Sequence, residues 1–375
     1  MKNSYNRREW LKTTLIGSAG ITLSGGLNLI NCNSAQQETG INSDNVILLD
    51  QNENPYGISE KAKIAINDAI KHSNYYPEDH INELTEIIAG REGFTKDNIV
   101  LGAGATEIFR TAALLYSSEG KEVVLADPSY FGFVNYTESV RGKMVKVPLD
   151  SEYRHDLNSI ARSVSGNTNL IYICNPNNPT GTIVGGNALR EFCIEYSKEA
   201  PVFVDEAYHD FVEDPDYSSM TGLVKDGHDV IIARTFSKIH GFAGLRVGYA
   251  IAKPEIIKEF KRIRTNFASV SVLSLRAAIA SYNDTGFTDT CRQGNKEAKE
   301  YFYNVLGEMG YEYIPSHTNF VLYKIDRDAE KYRDEILEHK IKVRPISFHD
   351  QHYCRVSIGT IYDMKKLAGV IKLIN

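Results

Sequence analysis

Short apolar, β-branched runs alternate with helical stretches between about residues 75 and 265, and this alternation most limits the folds open to the chain. It predicts an α/β fold with a mostly parallel central sheet covered by helices, because strands separated by helices bury both sheet faces. In such sheets, ligands bind beyond the carboxyl ends of the strands. The predicted strands are 98–102, 122–126, 170–174, 202–205, 230–233 and 247–252, with helices such as 105–116 and 187–199 between them.

After about residue 265 the pattern changes. A long helical stretch, 271–308, is followed by an apolar run at 320–325, a further helix and a second run at 354–358. This predicts a smaller α+β domain. A chain of 375 residues suits two domains. We predict a large domain over 75–265, a small domain over 266–375, and a segment, 45–74, that packs with the small domain.

The composition is that of an ordinary globular protein, with 42% hydrophobic and 24% charged residues. The net charge of −6 argues against a nucleic-acid partner, because no dense basic patch offsets it. Cys174, Cys193, Cys291 and Cys354 show neither CxxC spacing nor a dense framework, so we expect neither a metal site nor a disulfide scaffold. Cys174 and Cys193 stand in apolar contexts typical of buried thiols.

The N-terminus has a pattern of its own. Arg7 and Arg8 head an uncharged, glycine-rich apolar run, 13–30, and such an arrangement is typical of an export signal. The paired arginines resemble the bacterial twin-arginine signal. We predict a signal peptide over 1–31, a linker over 32–44, and a protein exported to the periplasm or cell envelope. Cys32 is a candidate lipid-attachment site. The alternatives are a membrane-spanning N-terminal helix or a cytoplasmic protein.

Polar, turn-forming clusters directly follow several predicted strands. Residues 102–107 (GAGATE) lie between a strand and a helix, where glycines and unpaired helix N–H groups accommodate an anion. Residues 175–181 (NPNNPTG) form a rigid turn that presents asparagine amides. Each of these could equally be a structural turn. Their spacings match neither a Walker loop nor a dinucleotide fingerprint.

Two further strand ends carry charged groups. Asp205 ends a predicted strand three residues before Tyr208, and a buried carboxylate there needs a cationic or donor partner. Lys238 follows another strand among small and apolar residues, where burial lowers a lysine pKa as imine formation requires. Ser237 and Arg246 add a hydroxyl and a planar cation suited to phosphate.

Together these segments resemble the fold-type I, pyridoxal-phosphate-dependent aminotransferases of class I/II, and most of all the histidinol-phosphate aminotransferase subfamily. The similarity covers roughly residues 45 to 375. The matching segments occur in the family's order: NENPYG at 52–57, Tyr76-Pro77, Pro128-Ser129-Tyr130, NPNNPTG at 175–181, DEAY at 205–208, Ser237-Lys238, GLRVGY at 244–249, SHTNF at 316–320, and Arg355.

The resemblance implies a role for each matching residue. Lys238 would form the Schiff base and move the proton, and Asp205 would pair with the pyridinium nitrogen. Asn178 and Tyr208 would donate to the phenolate oxygen, while Tyr130 would stack on the ring. The residues implied for the phosphate site are Ala105, Thr106, Thr235, Ser237 and Arg246.

The resemblance also implies a homodimer, in which Tyr76 reaches the phosphate of the neighbouring subunit. Arg355 would bind the acidic group of the substrate, with Asn54, Tyr56 and Arg344 nearby. One departure concerns the substrate. The subfamily usually carries a Pro-Tyr-Asn segment whose tyrosine helps to hold it, whereas this chain reads RTNFA at 264–268. That difference, together with the predicted export, argues against a phosphorylated substrate.

The leading hypothesis is therefore ping-pong transamination between an amino acid, or a histidinol-phosphate-like amine, and a 2-oxo acid. A second hypothesis keeps the cofactor but assigns decarboxylation, racemisation or C–S lysis, because sequence does not determine which Cα bond is aligned for cleavage. A third is an envelope binding protein without turnover, which would not need the set Lys238, Asp205 and Tyr208. A hydrolase is not supported, because no Gly-x-Ser-x-Gly motif is present.

Overall fold

The computed structural model describes residues 46–263 and 269–375. Its helices are α1 (Glu60–Ala69), α2 (Glu78–Glu92), α3 (Ala105–Tyr116), α4 (Phe131–Ser139), α5 (Leu157–Ser163), α6 (Gly186–Tyr196), α7 (Thr221–Lys225), α8 (Pro254–Ile263), α9 (Val272–Tyr282), α10 (Thr285–Glu308), α11 (Ala329–Glu338) and α12 (Ile361–Ile374). Its strands are β1 (Ile47–Leu48), β2 (Ile99–Gly102), β3 (Glu122–Asp127), β4 (Lys143–Pro148), β5 (Thr168–Cys174), β6 (Val202–Asp205), β7 (Val230–Thr235), β8 (Gly248–Ile251), β9 (Tyr313–Ile314), β10 (Phe320–Ile325), β11 (Ile341–Lys342), β12 (Arg344–Phe348) and β13 (Gln351–Ser357).

Within the described residues, seven strands form the large sheet, in the order β2-β8-β7-β6-β5-β3-β4. Strands β4, β3, β5, β6 and β7 run parallel, and β8 is antiparallel to both of its neighbours. Alternate residues of β6 enter different cores: Val202 and Val204 pack on one face and Phe203 on the other. Helix α6 contributes to the first core, and helices α3 and α8 to the second. The predicted α/β fold is confirmed.

A small antiparallel sheet, in the order β12-β13-β10-β9, follows later in the chain. Its core is formed with helices α10, α11 and α12, through residues such as Phe302, Tyr332 and Leu367. The N-terminal segment contributes here as well, since β1 pairs with β11 and Leu49 enters the same core.

The elements of the large sheet follow the sequence pattern closely, whereas β1, β9, β11 and β12 were not predicted. Three further differences concern the helices and the large sheet. The stretch 271–308 is two helices, α9 and α10, which are separated at Asn283 and Asp284. Strand β4 was not predicted, because its residues are largely half-buried or exposed and the strand lies at the sheet edge. Helix α9 packs on α1, and residues of both helices join the large-sheet core, which therefore continues beyond residue 265.

Of the helices in the described segments, none is both long and apolar enough to cross a membrane. Cys174 and Cys193 are buried as predicted, and Cys291 and Cys354 are buried as well. The predicted signal, the linker, Cys32 and residues 264–268 lie outside the described residues.

Candidate active site

The carboxyl ends of β5, β6 and β7 open into a cavity of about 530 Å³. Helix α3 begins at this cavity, and strands β12 and β13 of the small sheet close another side. The cavity brings together most residues singled out from the sequence: Ala105, Thr106, Tyr130, Asn178, Asp205, Tyr208, Thr235, Ser237, Lys238, Arg246, Arg344 and Arg355. Residues far apart in the chain thus surround one space, as the parallel-sheet pattern predicts.

Lys238 stands in the turn that follows β7. Its Nζ donates to the backbone oxygens of Gln51, at 3.1 Å, and Asn52, at 3.0 Å. Burial, reinforced by the nearby Arg355 cation, lowers the Lys238 pKa to about 7. A substantial fraction of the amine is therefore neutral near pH 7, as a nucleophilic lysine requires.

Asp205 ends β6 at the floor of the cavity and is 3% exposed. Its Oδ2 accepts from the Tyr172 hydroxyl at 2.8 Å, and its Oδ1 accepts from the Ala207 N–H at 3.0 Å. Burial raises the Asp205 pKa to about 6, although these hydrogen bonds oppose the shift. A buried carboxylate without a cationic partner among the described residues is suited to bind a cation.

Tyr208 and Asn178 lie on the same side of the cavity. The Tyr208 hydroxyl accepts from Asn52 Nδ2 at 2.9 Å and, more weakly, from Asn178 Nδ2 at 3.5 Å. The Tyr130 ring borders the cavity and packs on Phe109, with ring centroids 5.4 Å apart. Aromatic and hydrogen-bonding groups therefore face the same space.

The N-terminus of α3 lies against Arg246. Arg246 Nη2 donates to Thr106 Oγ1 at 3.0 Å, and Nη1 donates to the Ala243 oxygen at 2.8 Å. Gly104 precedes the helix at a φ of 73°, and a Cβ there would overlap the Arg246 guanidinium. Helix N–H groups, hydroxyls and a guanidinium together form an anion site.

Arg355 lies on β13 and is 8% exposed. Its Nη1 donates to Asn178 Oδ1 at 2.7 Å and its Nη2 to the Asp50 oxygen at 2.8 Å, while Nε is buried without a hydrogen-bond partner. Arg344 stands directly opposite on β12. Burial, reinforced by Arg344, lowers the Arg355 pKa. Within residues 46–263 and 269–375, neither arginine forms an ion pair with a carboxylate.

Three residues singled out from the sequence do not line this cavity. Asn54 Nδ2 donates to the Ile239 oxygen at 2.8 Å and to Cys291 Sγ at 3.3 Å, and Tyr56 packs in the same cluster. Tyr76 is 82% exposed and lies outside it. The substrate and cofactor roles of these residues stay predictions.

The sequence reasoning missed several residues that support the site. Tyr172 holds Asp205, and Asn52 contacts both Lys238 and Tyr208. Behind the site, Arg234 donates to Glu206, at 3.0 and 2.9 Å, and to Glu92 at 2.7 Å. Asn52 and Glu206 lie within quoted motifs, and Tyr172 and Arg234 lie in β5 and β7. Glu92 ends α2, where the sequence offered no signal.

The residues present fit pyridoxal phosphate. The anion site suits its phosphate, the buried Asp205 carboxylate suits a protonated ring nitrogen, and Lys238 suits its aldehyde. The Tyr208 hydroxyl and the Asn178 amide suit its phenolate oxygen. The overlap that a Cβ at Gly104 would cause supports this, because the backbone there must stay open beside Arg246.

The arrangement supports proton transfer at a substrate carbon. When bound, pyridoxal phosphate supplies an aldehyde for amines and a ring that takes up electrons. Asp205 would hold negative charge beside the ring nitrogen, and the neutral Lys238 Nζ could accept a proton from the substrate carbon and return it. Arg355 lines the same cavity and would suit an acidic group of a substrate.

Comparisons with known proteins agree with this chemistry. The family model for aminotransferase class I and II matches residues 44–371. The histidinol-phosphate aminotransferase of Moorella thermoacetica is 38% identical over 327 residues, which cover 87% of this chain and 84% of that protein. The protein of the same name from Caldicellulosiruptor saccharolyticus is 35% identical over 338 residues, 90% of this chain and 93% of that protein.

Solved structures are similar as well. A putative histidinol-phosphate aminotransferase from Erwinia carotovora atroseptica superposes with a TM-score of 0.85 at 29% identity, covering 88% of this chain and 96% of that one. The Sinorhizobium meliloti histidinol-phosphate aminotransferase in complex with pyridoxal-5'-phosphate superposes with a TM-score of 0.82 at 26% identity, covering 88% of this chain and 92% of that one. The chain therefore belongs to the class I and II aminotransferases and is a pyridoxal-phosphate-dependent transaminase.

Proposed function

We propose that this transaminase takes its amino group from an amine of the histidinol-phosphate type and passes it to a 2-oxo acid. The observation that carries the proposal is the arginine pair Arg344 and Arg355, which stand opposite each other on β12 and β13 and both line the cavity. Like charges directly opposite on neighbouring strands destabilise a sheet, and a bound anion between them relieves that cost.

A ping-pong cycle asks one site to bind two partners in turn. The guanidinium of Arg355 can form paired hydrogen bonds with a phosphate of the donor and then with a carboxylate of the acceptor. Its buried, unpartnered Nε supports this, because a buried donor without a partner is costly. Relatives at 38% and 35% identity carry the name histidinol-phosphate aminotransferase, which favours a phosphorylated donor.

A free α-amino acid is the second candidate donor. Two features favour it: the sequence RTNFA at 264–268 lacks the tyrosine that the subfamily usually has there, and the export proposed below argues against a phosphorylated substrate. An α-carboxylate can accept paired hydrogen bonds from the Arg355 guanidinium as well as a phosphate can.

The test is a panel of half-reactions with purified holoenzyme. Histidinol phosphate, histidinol and several α-amino acids are each mixed with the enzyme, and conversion of the bound cofactor is followed by absorbance. We expect histidinol phosphate to react at least about tenfold more efficiently than histidinol, since a charge-assisted hydrogen bond contributes about 1.5–3 kcal/mol. Equal efficiency for the two, with faster reaction of an α-amino acid, would replace the first candidate by the second.

We also propose that the enzyme is a homodimer in which Tyr76 completes the phosphate site of the neighbouring subunit. Its exposed position outside its own cavity supports this. Light scattering should give twice the chain mass. Mixing inactive Tyr76→Ala and Lys238→Ala subunits should restore activity, because each hybrid dimer would carry one intact site. A monomer, or no recovery after exchange, contradicts the proposal.

The export proposal rests on Arg7, Arg8 and the apolar run that follows them, with Cys32 as the candidate lipid-attachment site. Fractionation of cells that express the full chain should place it in the envelope, and a double Arg7→Lys, Arg8→Lys variant should remain inside. Mass spectrometry of the mature N-terminus would show whether Cys32 carries lipid. An uncleaved cytoplasmic protein contradicts export.

A further inference from the structure

Asn52 occupies an unusual position in the site. It is 1% exposed and adopts a φ of 55°, in the left-handed region that asparagine tolerates better than most residues do. Its backbone oxygen accepts from Lys238 Nζ at 3.0 Å, and its side-chain Nδ2 donates to the Tyr208 hydroxyl at 2.9 Å. One residue of the N-terminal segment thus contacts two groups of the reaction site.

The small sheet determines the orientation of the Asn52 amide. The Asn52 backbone N–H donates to Ser357 Oγ at 2.7 Å, so the proton of that hydroxyl remains to be donated. It goes to Asn52 Oδ1, 3.1 Å away. With Oδ1 taken by Ser357 on β13, Nδ2 must face Tyr208.

The same logic applies on the other side of the phenol. Arg355 Nη1 donates to Asn178 Oδ1, which turns Asn178 Nδ2 toward the Tyr208 hydroxyl. The phenol oxygen then accepts from two amides, and its own proton has to be donated elsewhere. The cavity, which Tyr208 lines, is the direction that remains.

We infer that Asn52 is a positioning residue for transamination: its amide, oriented by Ser357, directs the hydroxyl proton of Tyr208 into the cavity toward the cofactor's phenolate oxygen. This concerns the transamination step and does not depend on the substrate proposed above. A hydrogen-bond donor at the phenolate oxygen stabilises the negative charge of that oxygen. The cofactor therefore binds more tightly, and the bound cofactor loses its proton at a lower pH.

The test compares two substitutions that remove the amide in different ways. Asn52→Gly removes the side chain and suits the left-handed backbone. Asn52→Asp keeps the shape, but a carboxylate accepts the phenol proton and turns it away from the cavity. The readouts are the dissociation constant of pyridoxal phosphate and the pH midpoint of the absorbance of the bound cofactor.

We expect Asn52→Gly to weaken cofactor binding about threefold to tenfold, the range of one net hydrogen bond, and to raise the pH midpoint. Asn52→Asp should have the larger effect on both. Ser357→Ala should reproduce part of the Asn52→Gly effect. A purely structural role predicts the opposite order, because Asp preserves the shape and Gly does not.

The matched controls separate positioning from damage to the fold. In a protein that already carries Tyr208→Phe, neither Asn52→Gly nor Ser357→Ala should shift the pH midpoint further. Asn52→Asp should add only the effect of its charge. Asn98→Asp, at an asparagine whose amide donates to the Ala252 oxygen outside the cavity, should leave both readouts unchanged. Wild-type midpoint and affinity in Asn52→Gly and Asn52→Asp would overturn the inference, as would full additivity with Tyr208→Phe.

Discussion

The Tyr172 hydroxyl on β5 donates a 2.8 Å hydrogen bond to Oδ2 of Asp205 on the neighbouring strand β6. Burial raises the Asp205 pKa to about 6, whereas this hydrogen bond lowers it. Below that pH the carboxyl is neutral and cannot pair with a cationic ring nitrogen. The affinity for pyridoxal phosphate is therefore expected to fall as the pH drops through about 6.

The direction of the stability effect follows from the same shift. The Asp205 pKa is raised above its unfolded value, so the ionised carboxylate costs stability in the cofactor-free chain once the pH exceeds that unfolded value. A cationic partner offsets this cost. The cofactor should therefore raise the melting temperature more at pH 8 than at pH 5.

Tyr172→Phe should move the midpoint of cofactor binding to higher pH, because the stacked ring remains but the donor is lost. The measurement is the dissociation constant between pH 5 and 8. Tyr323→Phe is the matched control, since Tyr323 is also buried and hydrogen-bonded, but in the small-sheet core. The same pH dependence in Tyr172→Phe and wild type would contradict the role of this hydrogen bond.

Lys238 is expected to be the lysine that borohydride fixes to the cofactor. Lys238→Ala should abolish that adduct and lower turnover about 10²- to 10⁴-fold, the usual contribution of a general acid–base group. Lys299 provides a demanding control, because burial lowers its pKa to about 8 while its Nζ donates to the Ser316 and Thr318 oxygens. Lys299→Ala should keep the adduct. Peptide mapping that finds the adduct in Lys238→Ala would disprove the assignment.

Arg355→Gln should raise KM for substrates with an acidic group and lower kcat/KM by about 10- to 100-fold, because charged hydrogen bonds are lost. The kcat/KM of Arg355→Lys should lie between those of wild type and Arg355→Gln, because lysine keeps the positive charge but lacks the planar, bidentate guanidinium. Steady-state kinetics measure both. Arg327→Gln, at a half-exposed arginine paired with Glu335, should behave as wild type. Equal kinetics in Arg355→Gln and wild type would remove Arg355 from the substrate site.

Gly104→Ala should weaken binding of pyridoxal phosphate at least about tenfold, because a Cβ would displace the Arg246 guanidinium and strain the backbone by about 1–3 kcal/mol. Binding of pyridoxal, which has no phosphate, should change much less. Gly90→Ala in α2 is the control, since a Cβ there meets no neighbouring atom. A parallel loss for pyridoxal and pyridoxal phosphate would indicate general damage instead.

Much of the large sheet could be predicted because its signals are local. Strand β6 and helix α3 match the predicted limits. The strand is marked by a continuous apolar run and the helix by a helical repeat of apolar residues. The break between α9 and α10 was missed because Tyr282–Asn283–Asp284 interrupts a helical pattern without proline or glycine. Strand β4 was missed because edge strands bury few side chains.

By itself, the sequence determined which residue types stand at each strand end, and therefore that Asp205, Lys238 and the glycine turn before α3 share one edge of a parallel sheet. Tertiary structure alone decided the contacts between distant segments. Asn52 reaches Ser357 across 305 residues and Tyr208 across 156, and Arg344 meets Arg355 only through strand register. Hydrogen-bond partners of this kind depend on the packing of whole sheets against each other, which no local pattern encodes.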